Sequence, residues 1–126
     1  MRKALTAFLT LFAVMTQAQQ SAASSDNPFF HEYDGIHNTV PFDRISNKYY
    51  EEAIDRGMKI QNQEIDAIVT QSAEPTFENT IVALERTGAD LNRVLNVFYP
   101  LLSAMSDDEL MDISLRVSGK LSAMTN

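Results

Sequence analysis

An apolar seam between Phe77 and Leu102 constrains this chain more than any other feature. Apolar or small residues fall at Phe77, Ile81, Leu84, Gly88, Leu91, Leu95, Phe98 and Leu102, with spacings of 4, 3, 4, 3, 4, 3 and 4. A period of about 3.6 residues places them all on one side of an α-helix, whereas a strand would scatter them over both faces. Such a seam needs another helix against it. Pro75 and Thr76 mark its start, Thr76 as a candidate N-cap. Gly88 on the seam predicts close approach of a neighbouring backbone. Pro100 lacks an N–H and predicts a kink or an end of the helix near residues 96–99.

Two further helical patterns supply partners. Residues 46–70 open on Ser46 as a possible N-cap, with Glu51, Glu52 and Asp55 suiting the helix dipole. Tyr50, Ile54, Met58, Ile65 and Ile68 recur near helical spacing, interrupted by Gln61. Gly57 weakens this helix by about 1 kcal/mol relative to Ala. The last pattern begins at Ser106-Asp107-Asp108-Glu109, which reads as a capping box with Ser106 as cap and Glu109 reaching back. Leu110, Ile113, Val117 and Leu121 form one stripe, and Met111 and Leu115 lie on a second face. A helix apolar on two faces calls for neighbours on both sides, more than three helices provide.

No segment alternates apolar and polar as a strand would, and no internal repeat is visible. Between residues 27 and 45, Pro28, Gly35 and Pro41 break periodicity among Phe29, Phe30, Tyr33 and Phe42. This predicts an extended, aromatic-rich segment pinned to the helical body. The expected fold is all-α, with about three long antiparallel helices following that segment.

The first 18 residues read as a secretory signal peptide. Arg2 and Lys3 precede an uncharged apolar run over residues 5–15, and Thr16-Gln17-Ala18 offers small residues at −3 and −1 of a cleavage site. In helical form that run is roughly 16 Å long, about half a bilayer's hydrocarbon core, so a spanning helix is disfavoured. Cleavage is expected after Ala18, with Ala22 or Ala23 as alternatives, and residues 19–26 read as a flexible leader. The product would be exported to the periplasm or the cell exterior, with no membrane span. Arg2 and Lys3 leave with the peptide, so 10 basic residues become 8 against 17 acidic, a net charge of −9. That balance argues against nucleic acid as a partner.

Chemistry is sparse. There is no Cys, which excludes a disulfide scaffold and a thiol nucleophile, and the histidines are His31 and His37 alone. His31-Glu32 begins the zinc-protease pattern His-Glu-x-x-His, but Gly35 stands where the second His belongs. Asp107, Asp108 and Glu109 diverge around one helical turn and read as a cap with dipole compensation rather than a metal cluster. Glu51 and Glu52 are read in the same way. The four glycines are scattered, so there is no phosphate loop. No catalytic, cofactor-binding or metal-binding residue is assigned to this chain.

Pro75-Thr76-Phe77-Glu78-Asn79-Thr80 is the most specific string. It resembles a signature of the thimet oligopeptidase and peptidyl-dipeptidase family of zinc metallopeptidases. Asn27-Pro28-Phe29, Pro41-Phe42-Asp43-Arg44-Ile45 and Tyr49-Tyr50-Glu51-Glu52-Ala53-Ile54 resemble further elements of that family in the same order. Residues 84–94, 102–110 and 120–123 are similar to its bacterial peptidyl-dipeptidase branch. The resemblance covers residues 27–126. It implies an N-terminal helical part of an exported enzyme that releases C-terminal dipeptides from short peptides. Zn²⁺ would belong to the parent enzyme, not to this chain, because the family's His-Glu-x-x-His has no counterpart here. The chain would supply wall helices of a channel, await a C-terminal catalytic region and be inactive alone. The alternative is a stand-alone exported helical module that binds a peptide or protein without catalysis.

Overall fold

The computed structural model describes residues 26–124. The signal-peptide assignment and nearly all of the flexible leader therefore lie outside the described residues. Three long helices carry the fold: α1 (Tyr50–Val69), α3 (Ala89–Met105) and α4 (Asp108–Met124), with a short α2 (Ala83–Glu85) between the first two. No strand occurs among the described residues. The all-α expectation holds.

The aromatic-rich segment lies against the helices as expected. It enters through a 3₁₀ turn, Pro28–Phe30, and Phe29 is buried in the core. Phe29 packs on Tyr50 with ring centroids 5.4 Å apart, and Tyr50 meets Phe98 edge-on at 5.1 Å. These three rings tie the segment, α1 and α3 together in offset geometries that aromatic pairs favour. Phe42, in contrast, stays exposed.

The α1 helix starts later than the sequence suggested. Ser46 makes no side-chain cap bond, and a 3₁₀ turn over Asn47–Tyr49 leads into the helix at Tyr50. Tyr50, Ala53, Ile54 and Gly57 form its buried face. Gly57 is the point of closest approach. A Cβ built there would stand 2.8 Å from the Cα of Leu91 and 3.0 Å from its amide nitrogen. The residue read as a weakness is thus what lets α1 and α3 touch backbone to backbone.

The long seam is not one helix. A π-helical turn, Phe77–Val82, is capped at Thr76, whose hydroxyl accepts from the Asn79 amide while the Asn79 side chain accepts from the Thr76 amide. This confirms Thr76 as the cap. After α2 the chain turns at Gly88, which adopts φ +74. Left-handed backbone is cheap only for glycine. Glu64 on α1 accepts the Gly88 amide at 2.8 Å and anchors the turn. Upstream of it Phe77, Ile81 and Leu84 are exposed; downstream Leu91, Val94, Val97 and Phe98 are buried. The 4-3 spacing therefore runs across a break, and only its part beyond Gly88 is buried in the core.

Pro100 does not end α3, which continues to Met105. Leu101 and Leu102 beyond it pack against the core, and that burial offsets the lost hydrogen bond. In α4 the predicted stripe is found: Leu110, Ile113 and Val117 are buried and Leu121 is packed against the core. Met111 and Leu115 are exposed, as the second apolar face required. The cap differs. Asp107, not Ser106, accepts the Leu110 amide at 2.7 Å.

An ion network fastens α4 to α1. Arg116 and Lys120 both reach Glu51 at 3.0 Å, and Lys120 also reaches Asp55 at 2.8 Å. Hydrogen bonds from Arg116 and then Lys120 hold the Glu51 carboxyl below the usual carboxylate range. The hydrogen bond to Asp55 leads those that raise Lys120 above the usual lysine range. A lowered acid contributes stability above its ordinary titration range and loses it as pH falls. A raised base contributes below its ordinary range and loses it as pH rises. The network therefore supports docking of α4 between those two limits. The groups are partly solvated, so Lys120→Met is expected to cost no more than about 1 kcal/mol at low salt. Thermal melts in low and high salt check this: the difference from the parent chain should shrink as salt rises.

Candidate functional site

The residues with the most chemistry gather beside the aromatic-rich segment. His31 and Glu32 line a cleft of about 520 Å³ with Asp26, Tyr33, Asp34, Arg44 and Tyr49. The backbone at His31 is extended (φ −119, ψ 157) as it leaves the 3₁₀ turn. His37 is not among the lining residues. It occupies a left-handed turn at φ 58, next to Asn38 at φ 55. The two histidines are therefore not assembled into one site, and neither sits on a helix as a His-Glu-x-x-His pair requires.

The cleft's charges are largely matched internally. Arg44 pairs with Asp34, and its hydrogen bond keeps the Asp34 carboxyl below the usual carboxylate range. Tyr49 donates to Asp26 at 3.4 Å. Burial pushes the Tyr33 phenol up, against the opposing pull of Arg93. Arg93 reaches across to the Phe29 carbonyl at 2.9 Å and to Asp90 at 3.1 Å.

Asn27, between the cleft-lining Asp26 and Pro28, ties the aromatic-rich segment to the start of α1. It is fully buried; sequence reading placed it in the Asn27-Pro28-Phe29 string but gave it no structural role. Its Nδ2 donates to the Tyr49 carbonyl and to Glu52 Oε2, both at 3.1 Å, while its Oδ1 accepts the Phe29 amide at 3.1 Å. Its partners lie 22 and 25 residues away in sequence, so no local spacing could reveal them. Asn27→Ala strands a buried carbonyl and amide and is expected to cost about 1–3 kcal/mol. A urea titration followed by circular dichroism measures it.

The acidic clusters have structural duties. Glu52 is held by Asn27 and Glu51 by α4. Asp107 caps α4, and Asp107 and Glu109 both accept hydrogen bonds from Asn47 Nδ2, at 3.1 and 3.0 Å. Among the described residues, no group of three or more His, Asp and Glu could hold a metal ion. The zinc implied by the resemblance therefore has no fitting ligand set here, and no hydrolytic step is drawn through these side chains. No described helix is long and apolar enough to cross a membrane.

No family model matches the chain. Among curated proteins it is similar to the dipeptidyl carboxypeptidase of Salmonella typhimurium, 38% identical over 102 residues, covering 81% of this chain and 15% of that enzyme. It is likewise similar to the dipeptidyl carboxypeptidase of Escherichia coli, 37% identical over 105 residues, covering 79% of this chain and 15% of that enzyme. The chain thus spans about 15% of the length of the curated relatives it matches. Over about four-fifths of its length the chain is thus similar to one stretch of these dipeptidyl carboxypeptidases.

Proposed function

We propose that this chain forms part of an exported peptidyl-dipeptidase, in which α1, α3 and α4 help wall the channel that admits short peptides. The observation that carries the reading is the 38% identity to a dipeptidyl carboxypeptidase over 81% of the chain. The exposed apolar residues support it. Phe77, Ile81, Leu84, Met111 and Leu115 all face solvent, a quantity of apolar surface better suited to contact with further protein.

On this reading catalysis belongs to sequence other than these residues. Zinc bound there would polarise the scissile carbonyl and activate water. The present side chains give shape: Gly57 sets the helix spacing, Asn27 fixes the entering segment, and the Glu51 network seats α4. The purified chain with added zinc is expected to release no dipeptide from a blocked tetrapeptide. Zinc-dependent dipeptide release by the chain alone would overturn this division of labour. Export is tested by cell fractionation with N-terminal sequencing: a periplasmic product starting at Gln19 supports it, and an intact Met1 in the cytosol refutes it.

A further inference from the structure

Asp34-Gly35 is the single Asp–Gly step in the sequence, and no Asn precedes a glycine. Asp34 is exposed on the wall of the cleft that His31 and Glu32 also line. An Asp–Gly step carries its own chemistry. The Gly35 amide nitrogen attacks Cγ of the neutral Asp34 carboxyl. An N–Cγ bond forms, the Cγ–OH bond breaks and one water leaves, its hydrogens supplied by the amide and the acid. A second water then opens the five-membered succinimide ring. Entry at Cγ restores aspartate. Entry at the former main-chain carbonyl leaves the chain running through Cγ, an isoaspartate. No oxidant, reductant or further reactant is needed.

The surroundings both favour and restrain this step. Glycine sets no side chain in the way of ring closure, and the fold favours glycine here. A Cβ at Gly35 would stand 2.6 Å from Thr39 Oγ1 and 3.3 Å from the Thr39 carbonyl oxygen. The backbone just beyond is lightly held. His37 and Asn38 take left-handed φ of 58 and 55, which costs energy for residues with a side chain, so local opening is cheap. The restraint is Arg44, which pairs with the Asp34 carboxylate. An ionised carboxylate has no hydroxyl to lose and is a poor target for the amide. We propose that Asp34-Gly35 is a site of spontaneous isoaspartate formation, and that the ion pair with Arg44 holds it in check. The isomer adds one carbon to the main chain and attaches the remaining carboxylate directly to Cα, which shortens its reach. The tie between Asp34 and Arg44 on the cleft wall is then weakened.

The full chain is aged for weeks at neutral pH, below its melting transition, and isoaspartate at position 34 is read by electron-transfer fragmentation mass spectrometry. The Asp66-Ala67 step, inside α1, serves as the internal reference. The parent chain is expected to accumulate isoaspartate slowly at position 34 and less at the reference. Arg44→Met should accumulate it several-fold faster. Arg44→Lys keeps the positive charge and should stay close to the parent. Asp34→Glu should form none, because its longer side chain would have to close a six-membered ring. Both partners are well exposed, with side chains 53% and 74% accessible, so salt screens the pair. High salt should therefore raise the parent's rate toward that of Arg44→Met and leave the Met variant unmoved. Circular dichroism verifies that each variant folds, and the salt arm tests the parent chain without any substitution. Equal rates in the parent and Arg44→Met would overturn the proposal, as would a parent rate indifferent to salt. So would Arg44→Lys ageing as fast as Arg44→Met, which would make packing rather than charge the restraint. None of these outcomes depends on the peptidase reading.

Discussion

Phe98→Ala is expected to destabilise the chain by about 3–5 kcal/mol, the usual cost of emptying a buried aromatic site. Phe98 is 0% exposed and stands at the centre of the core, edge-on to Tyr50 and 5.4 Å from Tyr99. Tyr50 in turn carries Phe29. Removing the ring would therefore loosen α3, α1 and the aromatic-rich segment together. Domains of this size are stable by roughly 5–15 kcal/mol, so the loss is a large share of the total. A melt followed by circular dichroism should fall by about 4–8 °C for each kcal/mol. A shift within a few degrees of the parent chain would show that the aromatic stack is not central.

Gly57→Leu is also expected to destabilise, for the opposite reason. The Cβ alone would lie 2.8 Å from the Leu91 Cα, and the obstacle is backbone rather than a movable side-chain tip. Leucine is the better helix former by roughly 1 kcal/mol, so in an isolated helix the substitution would stabilise. Overpacking costs about 1–3 kcal/mol, the upper end applying when the partner cannot retreat. Here retreat means separating α1 from α3. The net expected effect is a loss of about 2 kcal/mol, the difference between those two terms. A denaturant titration reads the sign, and a stabilised variant would refute the close-contact account.

The helical fold was legible because burial on one face writes a period into the sequence. The α4 stripe of Leu110, Ile113 and Val117 is the plainest case, and the exposed Met111 and Leu115 were equally readable. Boundaries were less so. Ser106 and Asp107 are adjacent and chemically equivalent as caps, and tertiary placement of the chain selected Asp107. The two glycines were only partly legible. Gly88 lies on the seam and was expected to meet a neighbouring backbone; it is a positive-φ turn, and what approaches it closely is the Gln61 side chain. Gly57 looked like a propensity defect, but Leu91 occupies the space beside it. Propensity is local, whereas the partner that decides a glycine's role is 34 residues away. The structural role of Asn27, named only as part of a motif, escaped for the same reason, since its bonds to Tyr49 and Glu52 are visible only once the segment has folded back. What sequence did supply for function was the ordered set of motifs, and these concern architecture rather than catalysis.

The proposed role of these residues is a structural part of a peptidyl-dipeptidase. A chimera tests it most directly: the matching stretch of the Escherichia coli dipeptidyl carboxypeptidase, 37% identical, is replaced by residues 27–124 of this chain. Dipeptide release from a blocked tetrapeptide is then measured against the unaltered enzyme and against this chain alone. A folded chimera that releases dipeptides is expected, beside a chain that alone releases none. A folded chimera without activity, beside an active parent enzyme, would contradict it.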